Sequence, residues 1–360
     1  MCKVSVLIPA YNVAQYLREC LESVLGQTLS DIEVICINDG STDETLDILR
    51  EYEARDARIR LIDQDNGGYG RAVNVGLRVA AGEYIGIVEP DDYIEADMYR
   101  ILWETARKHA LDVVKGDYSY FKGEKNQRIF DRIMICPGFS WYFRRWNPSS
   151  TPKLLDADMM NVTGIYRRDF LQQHNVQLRE TPGAAFQDTG LWFQIFTQAD
   201  SAMFLPYAFY KIRRDNPDSS VHSPDKFYRI CEEYEACHRK LLQLPDRSST
   251  FAPYLFRRKV FAYFFVLSKI TDSQRPTVCA RFAEEIHTAY QCGQYDRRLF
   301  TDSMHRFLCE VASWREGTEP PVYQRSAFAG KRLYECVREH GVPYLIRRVL
   351  IRLGIRTEVF

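Results

Sequence analysis

The chain has 360 residues, enough to bury a sizeable core and to form two domains. Hydrophobic residues make up 46% of it and aromatic residues 13%, the composition of a soluble globular protein. Lysine plus arginine equals aspartate plus glutamate at 48 each, so no global field draws the chain to nucleic acid.

Met1-Cys2-Lys3 leads directly into an apolar strand, Val4 to Ile8. A secretory signal needs a longer apolar region and a cleavage site, so a cytoplasmic protein is expected. The longest apolar stretch, Val260 to Leu267, is too short to span a bilayer. The ten cysteines include no C-x-x-C pair and read as reduced core residues. Cys231, Cys237 and His238 do not fit a zinc spacing.

Pro9 ends the first strand, and Ala10-Tyr11-Asn12 leads into a helix from about Val13 to Leu25. Its apolar positions Leu17, Leu21, Val24 and Leu25 recur at helical spacing. Ile32 to Asn38 is a second strand, with Asp39-Gly40-Ser41-Thr42-Asp43 at its end. Ser41 or Thr42 is expected to cap a helix running to about Ala54. Ile59 to Asp63 is a third strand, followed by Asn66-Gly67-Gly68-Tyr69-Gly70 and a helix from Arg71 to Ala80. Tyr84 to Val88 is a fourth strand, ending in Glu89-Pro90-Asp91-Asp92. Four alternations of strand and helix in about ninety residues predict right-handed crossovers and a parallel sheet.

Ligands bind beyond the carboxyl ends of such strands, so these four polar loops should converge on one crevice. Glycine-rich loops allow close backbone approach. Three carboxylates so near one another repel unless a cation or strong donors hold them, and a hard cation takes oxygen ligands. A solvated acidic turn, with Asp92 capping the next helix, is the plainer alternative. No G-x-G-x-x-G opens the first helix and no G-x-x-x-x-G-K occurs, which excludes the dinucleotide and P-loop fingerprints.

Ile94 to Ala110 reads as a helix and Asp112 to Tyr120 as a strand; Lys122 to Pro152 fits no single element. A strand is expected within Met159 to Tyr166, and a buried helix over Thr189 to Gln198 with Asp188 at its N-terminus, where an Asp cap would also sit. Ala202 to Ile212 is the last strand, followed by Arg213 and Arg214. Beyond His222 the pattern turns helical. The domains expected are therefore 1–222 and 223–360.

SVLIPAYN at Ser5 to Asn12, INDGSTD at Ile37 to Asp43, GEYIGIVEPDDY at Gly82 to Tyr93, and Phe186-Gln187-Asp188 stand together in order. In this the chain resembles the family 2 glycosyltransferases. The resemblance is strong over residues 3 to 96 and weakens beyond about 222. It implies an α/β GT-A fold, with a Rossmann-like, mainly parallel sheet flanked by helices. It also implies inverting transfer of a sugar from a nucleotide sugar, usually UDP-linked, to a hydroxyl of a glycan or lipid-linked acceptor in surface-polysaccharide synthesis. By that resemblance Pro9, Ala10, Tyr11 and Asn12 line the base pocket, Asp39 bonds the base, and Gly68, Arg71, Glu89 and Pro90 complete the nucleotide site. Asp91 would bind Mn2+ or Mg2+, and Asp188 would be the general base.

Independently of the family, a departing diphosphate needs a cation, and direct displacement needs one carboxylate on the opposite face. By the resemblance Asp92 and Gln187 fall where diphosphate or acceptor would lie; Arg213 and Arg214, just after the last strand, are placed to close over the diphosphate, and His222 is a candidate added metal or phosphate ligand. The sequence departs from the family pattern in three places. Glu89 replaces the first aspartate of the metal motif, Gln187 replaces an acid beside the base, and Arg71 stands earlier than the usual arginine of A-R-N, here Ala72-Val73-Asn74. The Q-x-x-R-W motif of processive synthases is absent.

The segment Gly330 to Phe360 sets Leu345, Ile346, Val349, Leu350 and Leu353 among arginines. Such a basic amphipathic helix suits an anionic inner-leaflet surface, or packing on the catalytic domain. Two other functions compete with transfer. One is a non-catalytic sugar-nucleotide-binding or scaffold protein, against which Asp39, Asp91 and Asp188 together count. The other is a nucleotidyltransferase, which would want a glycine-rich basic loop after the first strand.

Overall fold

The computed structural model describes residues 2–314, except 124, 126, 185, 218–226, 268–269 and 272. His222 and the basic tail lie outside the described residues. Their residues divide into two compact units: one up to Ile135 together with Tyr142–Lys259, the other Cys136–Trp141 with the chain from Val260. The boundary expected near residue 222 falls in a segment outside the description, and the first unit continues past it to Lys259.

In the first unit, strands β1 (Val4–Ala10), β2 (Ile32–Asp39), β3 (Ile59–Gln64) and β4 (Tyr84–Ile87) alternate with helices α1 (Ala14–Leu25), α2 (Thr45–Arg55) and α3 (Tyr69–Val79). All four strands run parallel, in the order β3-β2-β1-β4, as the alternation predicts. Every residue of β1 is buried, which is why it reads as an unbroken apolar run rather than an alternating one.

After β5 (Tyr93–Ile94) and α4 (Met98–His109), the sheet is extended by β6 (Val113–Lys122), β7 (Ile129–Ile133), β8 (Gly164–Arg167) and β9 (Ala202–Arg213). The described strands form one sheet ordered β3-β2-β1-β4-β8-β6-β9-β5, with β7 paired to β6. β8 is antiparallel to both β4 and β6, so it closes the parallel half. The strand expected within 159–166 begins only at Gly164, because Asn161–Thr163 form a 3-10 turn. β7 lies in the stretch that resisted assignment from sequence. Its partner strand across a turn supplies the pairing that composition does not reveal.

α2 starts at Thr45 rather than at a Ser41 or Thr42 cap. The Asp43 carboxylate accepts from the Thr45 N–H instead, at 3.0 Å. Ser41 and Thr42 are committed to the first loop, as described below. The unit is completed by α5 (Arg168–Gln173), α6 (Gln187–Gln198), α7 (Phe227–Leu242) and the part of α8 (Pro245–Leu267) before Val260.

The second unit holds the end of α8, α9 (Arg275–Gln291) and α10 (Asp302–Ala312). Aromatic contacts carry its core: Tyr263 stacks on Phe282 at 4.1 Å and Phe264 meets Phe307 edge-on at 5.2 Å.

Candidate active site

Four loops leave the carboxyl ends of β1 to β4, and short hydrogen bonds latch the first three together. Pro9 and Ala10 belong to β1 itself. Tyr11 is 52% exposed. Asn12 adopts φ 46°, a left-handed conformation that asparagine tolerates. Its Oδ1 accepts from the Thr42 N–H at 2.7 Å, and its own N–H donates to Ser41 Oγ at 3.1 Å. Asp39, the last residue of β2, is 3% exposed. One carboxylate oxygen accepts from Gln64 Nε2 and the Gly67 N–H, the other from the Gly68 N–H at 2.8 Å.

The glycine loop is seated against a strip at 179–183. Gly68 has φ 86°, and a Cβ there would lie 2.2 Å from the Thr181 carbonyl oxygen. A Cβ on Gly70 would lie 2.0 Å from the Arg179 carbonyl oxygen. The Tyr69 N–H donates to the Gly183 carbonyl at 3.2 Å. α3 therefore begins at Tyr69, two residues earlier than its apolar spacing predicts, because this contact fixes its first turn. Arg71 is exposed and its side chain folds across Gly67.

Beyond β4 the three acids have three different surroundings. Glu89 Oε1 accepts from the Tyr69 hydroxyl at 2.7 Å, and the Glu89 N–H donates to the Tyr210 hydroxyl at 2.8 Å. Burial pushes the Glu89 carboxyl up to about 8; the Tyr69 hydrogen bond opposes this, while the charges of Asp91 and Asp188 add to it. Pro90 is buried in the turn. Asp91 is half-buried and accepts from Asn216 Nδ2 at 2.8 Å through one oxygen. Asp92 is turned inward, 4% exposed, and accepts from the Arg213 N–H at 2.8 Å. Burial, with the Asp91 charge beside it, holds Asp92 well above the ordinary carboxylate range. Asp92 thus braces β9 from within, where sequence places it on diphosphate or acceptor.

Among the described residues no three His, Cys, Asp or Glu side chains cluster as a ready-made metal cage. What remains is Asp91, with one oxygen uncommitted, next to Glu89. One or two carboxylate oxygens and no soft ligand fit a hard divalent cation that completes its shell with water and phosphate. A cation there would also relieve the mutual repulsion that raises Glu89 and Asp92.

Asp188 is the second residue of α6, inside its first turn rather than at the cap. Phe186 precedes the helix at φ 62°. An Asp188 carboxylate oxygen accepts from the Thr189 N–H at 2.9 Å, and its carbonyl accepts from Asn161 Nδ2. A helix N-terminus favours a carboxylate, yet burial wins and pushes Asp188 up to about 6. The charge of Asp158 adds to that rise and Lys115 opposes it. The Asp188 charge in turn raises Glu89 and Tyr69. Tyr69 links the two regions, bonding Glu89 in the fourth loop through its hydroxyl and Gly183, shortly before α6, through its N–H. Gln187 is 2% exposed and donates to Thr181 Oγ1 and the Gly183 carbonyl, so it holds the 181–183 strip instead of facing a substrate.

The two arginines after β9 divide sharply. Arg213, expected over a diphosphate, has a side chain only 9% exposed and ion-paired to Glu19 at 2.8 Å. It also bonds the Asp91 carbonyl at 3.0 Å and stacks on Tyr16 and Phe121. It is an internal brace. Arg214 lies over the Tyr120 ring at 3.9 Å and has no carboxylate partner within 4 Å among the described residues. Sequence reading missed Tyr69, Asn216, Tyr210, Asn161 and Asp158. Only Tyr69 carried a signal, its place inside the glycine loop.

Residues 5–174 match the model of the family described as glycosyl transferase family 2. An uncharacterised glycosyltransferase, EpsJ of Bacillus subtilis, is 35% identical over 62% of this chain and 64% of its own length. The chondroitin synthase of Escherichia coli is 46% identical over 38% of this chain but 19% of that protein. The chain thus spans less than two thirds of these curated relatives. Among solved structures, residues 1–349 of TarS from S. aureus, crystallised with UDP-GlcNAc, superpose with a TM-score of 0.66 at 19% identity. That match covers 86% of this chain and 87% of the TarS chain, and it establishes the GT-A fold.

Proposed function

We propose, from the match of residues 5–174 to the family 2 glycosyltransferases, that the chain is an inverting glycosyltransferase. The donor is a nucleotide sugar, UDP-linked by analogy with the UDP-GlcNAc complex of TarS. The acceptor is a hydroxyl of a glycan or lipid-linked glycan in polysaccharide synthesis, a reading favoured by the likeness to chondroitin synthase. The observation that carries this proposal is the junction made by Tyr69, whose hydroxyl bonds Glu89 while its N–H bonds the Gly183 carbonyl in the strip just before Asp188.

In the reaction, the acceptor oxygen forms a bond to C1 of the donor sugar from the face opposite the leaving group. The C1–oxygen bond to the diphosphate breaks, and the diphosphate departs with the electron pair. The acceptor proton passes to Asp188, whose raised proton affinity suits a base working near neutral pH. Inversion follows from the single displacement. The Asn12, Asp39 and Gly68 latch forms the nucleotide side, with Tyr11 exposed at its mouth. Arg214 supplies a cation toward diphosphate or acceptor. A bound Mn2+ or Mg2+ would neutralise the leaving diphosphate, held through Asp91, with His222 as an added ligand in this reading. Among the described residues no helix is long and apolar enough to cross a membrane. A cytoplasmic enzyme touching the inner leaflet through its basic tail fits the lipid-linked acceptor, and liposome flotation with and without residues 331–360 tests that part.

The test of the whole reading is a donor screen. Purified protein with Mn2+ or Mg2+ is melted against a panel of nucleotide sugars, and donor hydrolysis is followed in parallel. A melting shift with one UDP-sugar, reduced in Asp91→Ala, supports the proposal. No response to any sugar nucleotide, with or without metal, overturns it in favour of a scaffold.

A further inference from the structure

Tyr69, which neither the family motifs nor the proposed mechanism uses, bonds directly to one of the acids. It is the first residue of α3, and its backbone is held from two sides. Its N–H donates to the Gly183 carbonyl at 3.2 Å. Its neighbours Gly68 and Gly70 are pressed so close to the Thr181 and Arg179 carbonyls that neither position has room for a Cβ. The backbone of Tyr69 therefore has little freedom, and its side chain leaves a fixed platform.

From that platform the hydroxyl reaches Glu89 Oε1 at 2.7 Å, a short bond to a carboxylate. Glu89 is itself anchored at the main chain, where its N–H meets the Tyr210 hydroxyl at 2.8 Å. One end of Glu89 is thus set by β9 and the other by the glycine loop. Asp188 lies near enough for its charge to act on both Tyr69 and Glu89. A carboxyl group held at its main chain and at one side-chain oxygen has little freedom to turn, so the direction of its second oxygen is set by those two contacts.

We infer that Tyr69 is a positioning residue that fixes the Glu89 side chain through Oε1, so that its second carboxyl oxygen is presented to hydroxyls on the donor side of the crevice. This rests on the glycosyltransferase reading of the crevice. Its physical content is the coupling of Tyr69 to Glu89: Tyr69 acts through that carboxylate and has no separate effect on the substrate. A phenylalanine keeps the ring and its packing and removes only the hydroxyl, so Tyr69→Phe is the clean probe.

The experiment is a double-mutant cycle on the full-length protein with Tyr69→Phe, Glu89→Gln and the pair, read two ways. The first reading is the melting shift caused by the UDP-sugar that the wild type recognises, measured both with Mn2+ and in EDTA. The second is kcat and KM for transfer or donor hydrolysis. Tyr69→Phe is expected to leave the melting temperature without ligand nearly unchanged and to shrink the donor-induced shift in both media. It should lower kcat/KM by about tenfold or more, the range for a hydrogen bond to a charged group. In the Glu89→Gln background the same change should add little, since its target is gone. Full additivity of the two changes, or a Tyr69→Phe protein with wild-type donor response, overturns the inference. A fall in the ligand-free melting temperature with donor response intact overturns it as well, because Tyr69 would then serve only the fold. Failure of the glycosyltransferase reading looks different: the wild type itself would give no donor response.

Discussion

The carboxylate of Asp39 closes on the backbone of Gly68, accepting its N–H at 2.8 Å, and so ties the end of β2 to the loop after β3. The Gly67 N–H and Gln64 Nε2 bond the same carboxylate, which is 3% exposed. Two loops about thirty residues apart are thereby held as one surface. The carboxylate proposed to meet the nucleotide base thus also keeps the loop that carries Tyr69 in place.

Replacing Asp39 by alanine leaves two backbone N–H groups without their acceptor. Each unsatisfied buried donor costs about 1–3 kcal/mol, and with the Gly68 N–H buried and the Gly67 N–H half-buried the variant should lose about 2–6 kcal/mol in chemical denaturation. Asp39→Asn keeps one acceptor oxygen and should lose about half as much. Both should bind donor more weakly, as read from the ligand-induced melting shift. An alanine variant as stable as wild type would show that the loop does not depend on this carboxylate.

Gly70 sits in the first turn of α3, where helix propensity alone favours alanine by about 1 kcal/mol. The Arg179 carbonyl at 2.0 Å from the added Cβ outweighs this, because backbone on both sides must move by more than an ångström. Gly70→Ala should therefore destabilise by about 2 kcal/mol, in the range of overpacking, and weaken donor binding. A gain in melting temperature would mean that propensity decides and the strip at 179–183 yields.

Burial raises Asp188 to about 6, so kcat/KM should fall as pH drops through about 6, where the base becomes protonated. Linkage has the opposite sign to that of a salt-bridged acid. The folded pKa exceeds the unfolded one, so the folded state holds the proton more tightly. This carboxyl's contribution to stability then declines as pH rises from about 4 to about 6. Asp188→Asn should abolish turnover while leaving the melting temperature at pH 7 equal to or above wild type. Loss of folding in this variant, or full activity, would contradict the assignment.

Arg213 and Arg214 should separate stability from binding. Arg213→Ala removes a buried partner of Glu19 and two aromatic contacts, though Arg128 still pairs with Glu19 at 2.6 Å. A loss of about 2–3 kcal/mol is expected, below the full cost of stranding a buried charge. Arg214→Ala should leave stability within about 0.5 kcal/mol and raise KM for donor or acceptor. Urea denaturation of the two variants beside steady-state kinetics checks both halves.

The order of strands β1 to β4, their parallel direction and the loops carrying Asp39, Glu89 to Asp92 and Asp188 are determined within short stretches of sequence. Unbroken apolar runs mark strands buried on both faces, and glycine or proline beside polar residues marks their ends. Those signals are local, so they survive without knowledge of the fold. Which of two adjacent arginines is buried is not local. Arg213 meets Glu19 across 194 positions, and it points inward only because β9 takes a particular register beside β6. The same holds for Asp92 turned onto β9, for Gln187 turned onto the 181–183 strip, and for β8 slotted antiparallel between β4 and β6. It holds also for Tyr69 on Glu89, where a glycine-loop residue becomes a partner of an acid twenty positions away. Sequence alone set which chemical groups the crevice owns. Their division into braces and reactive groups was decided by tertiary packing, since burial and hydrogen-bond partners determine whether a charge is neutralised within the fold or left facing a ligand.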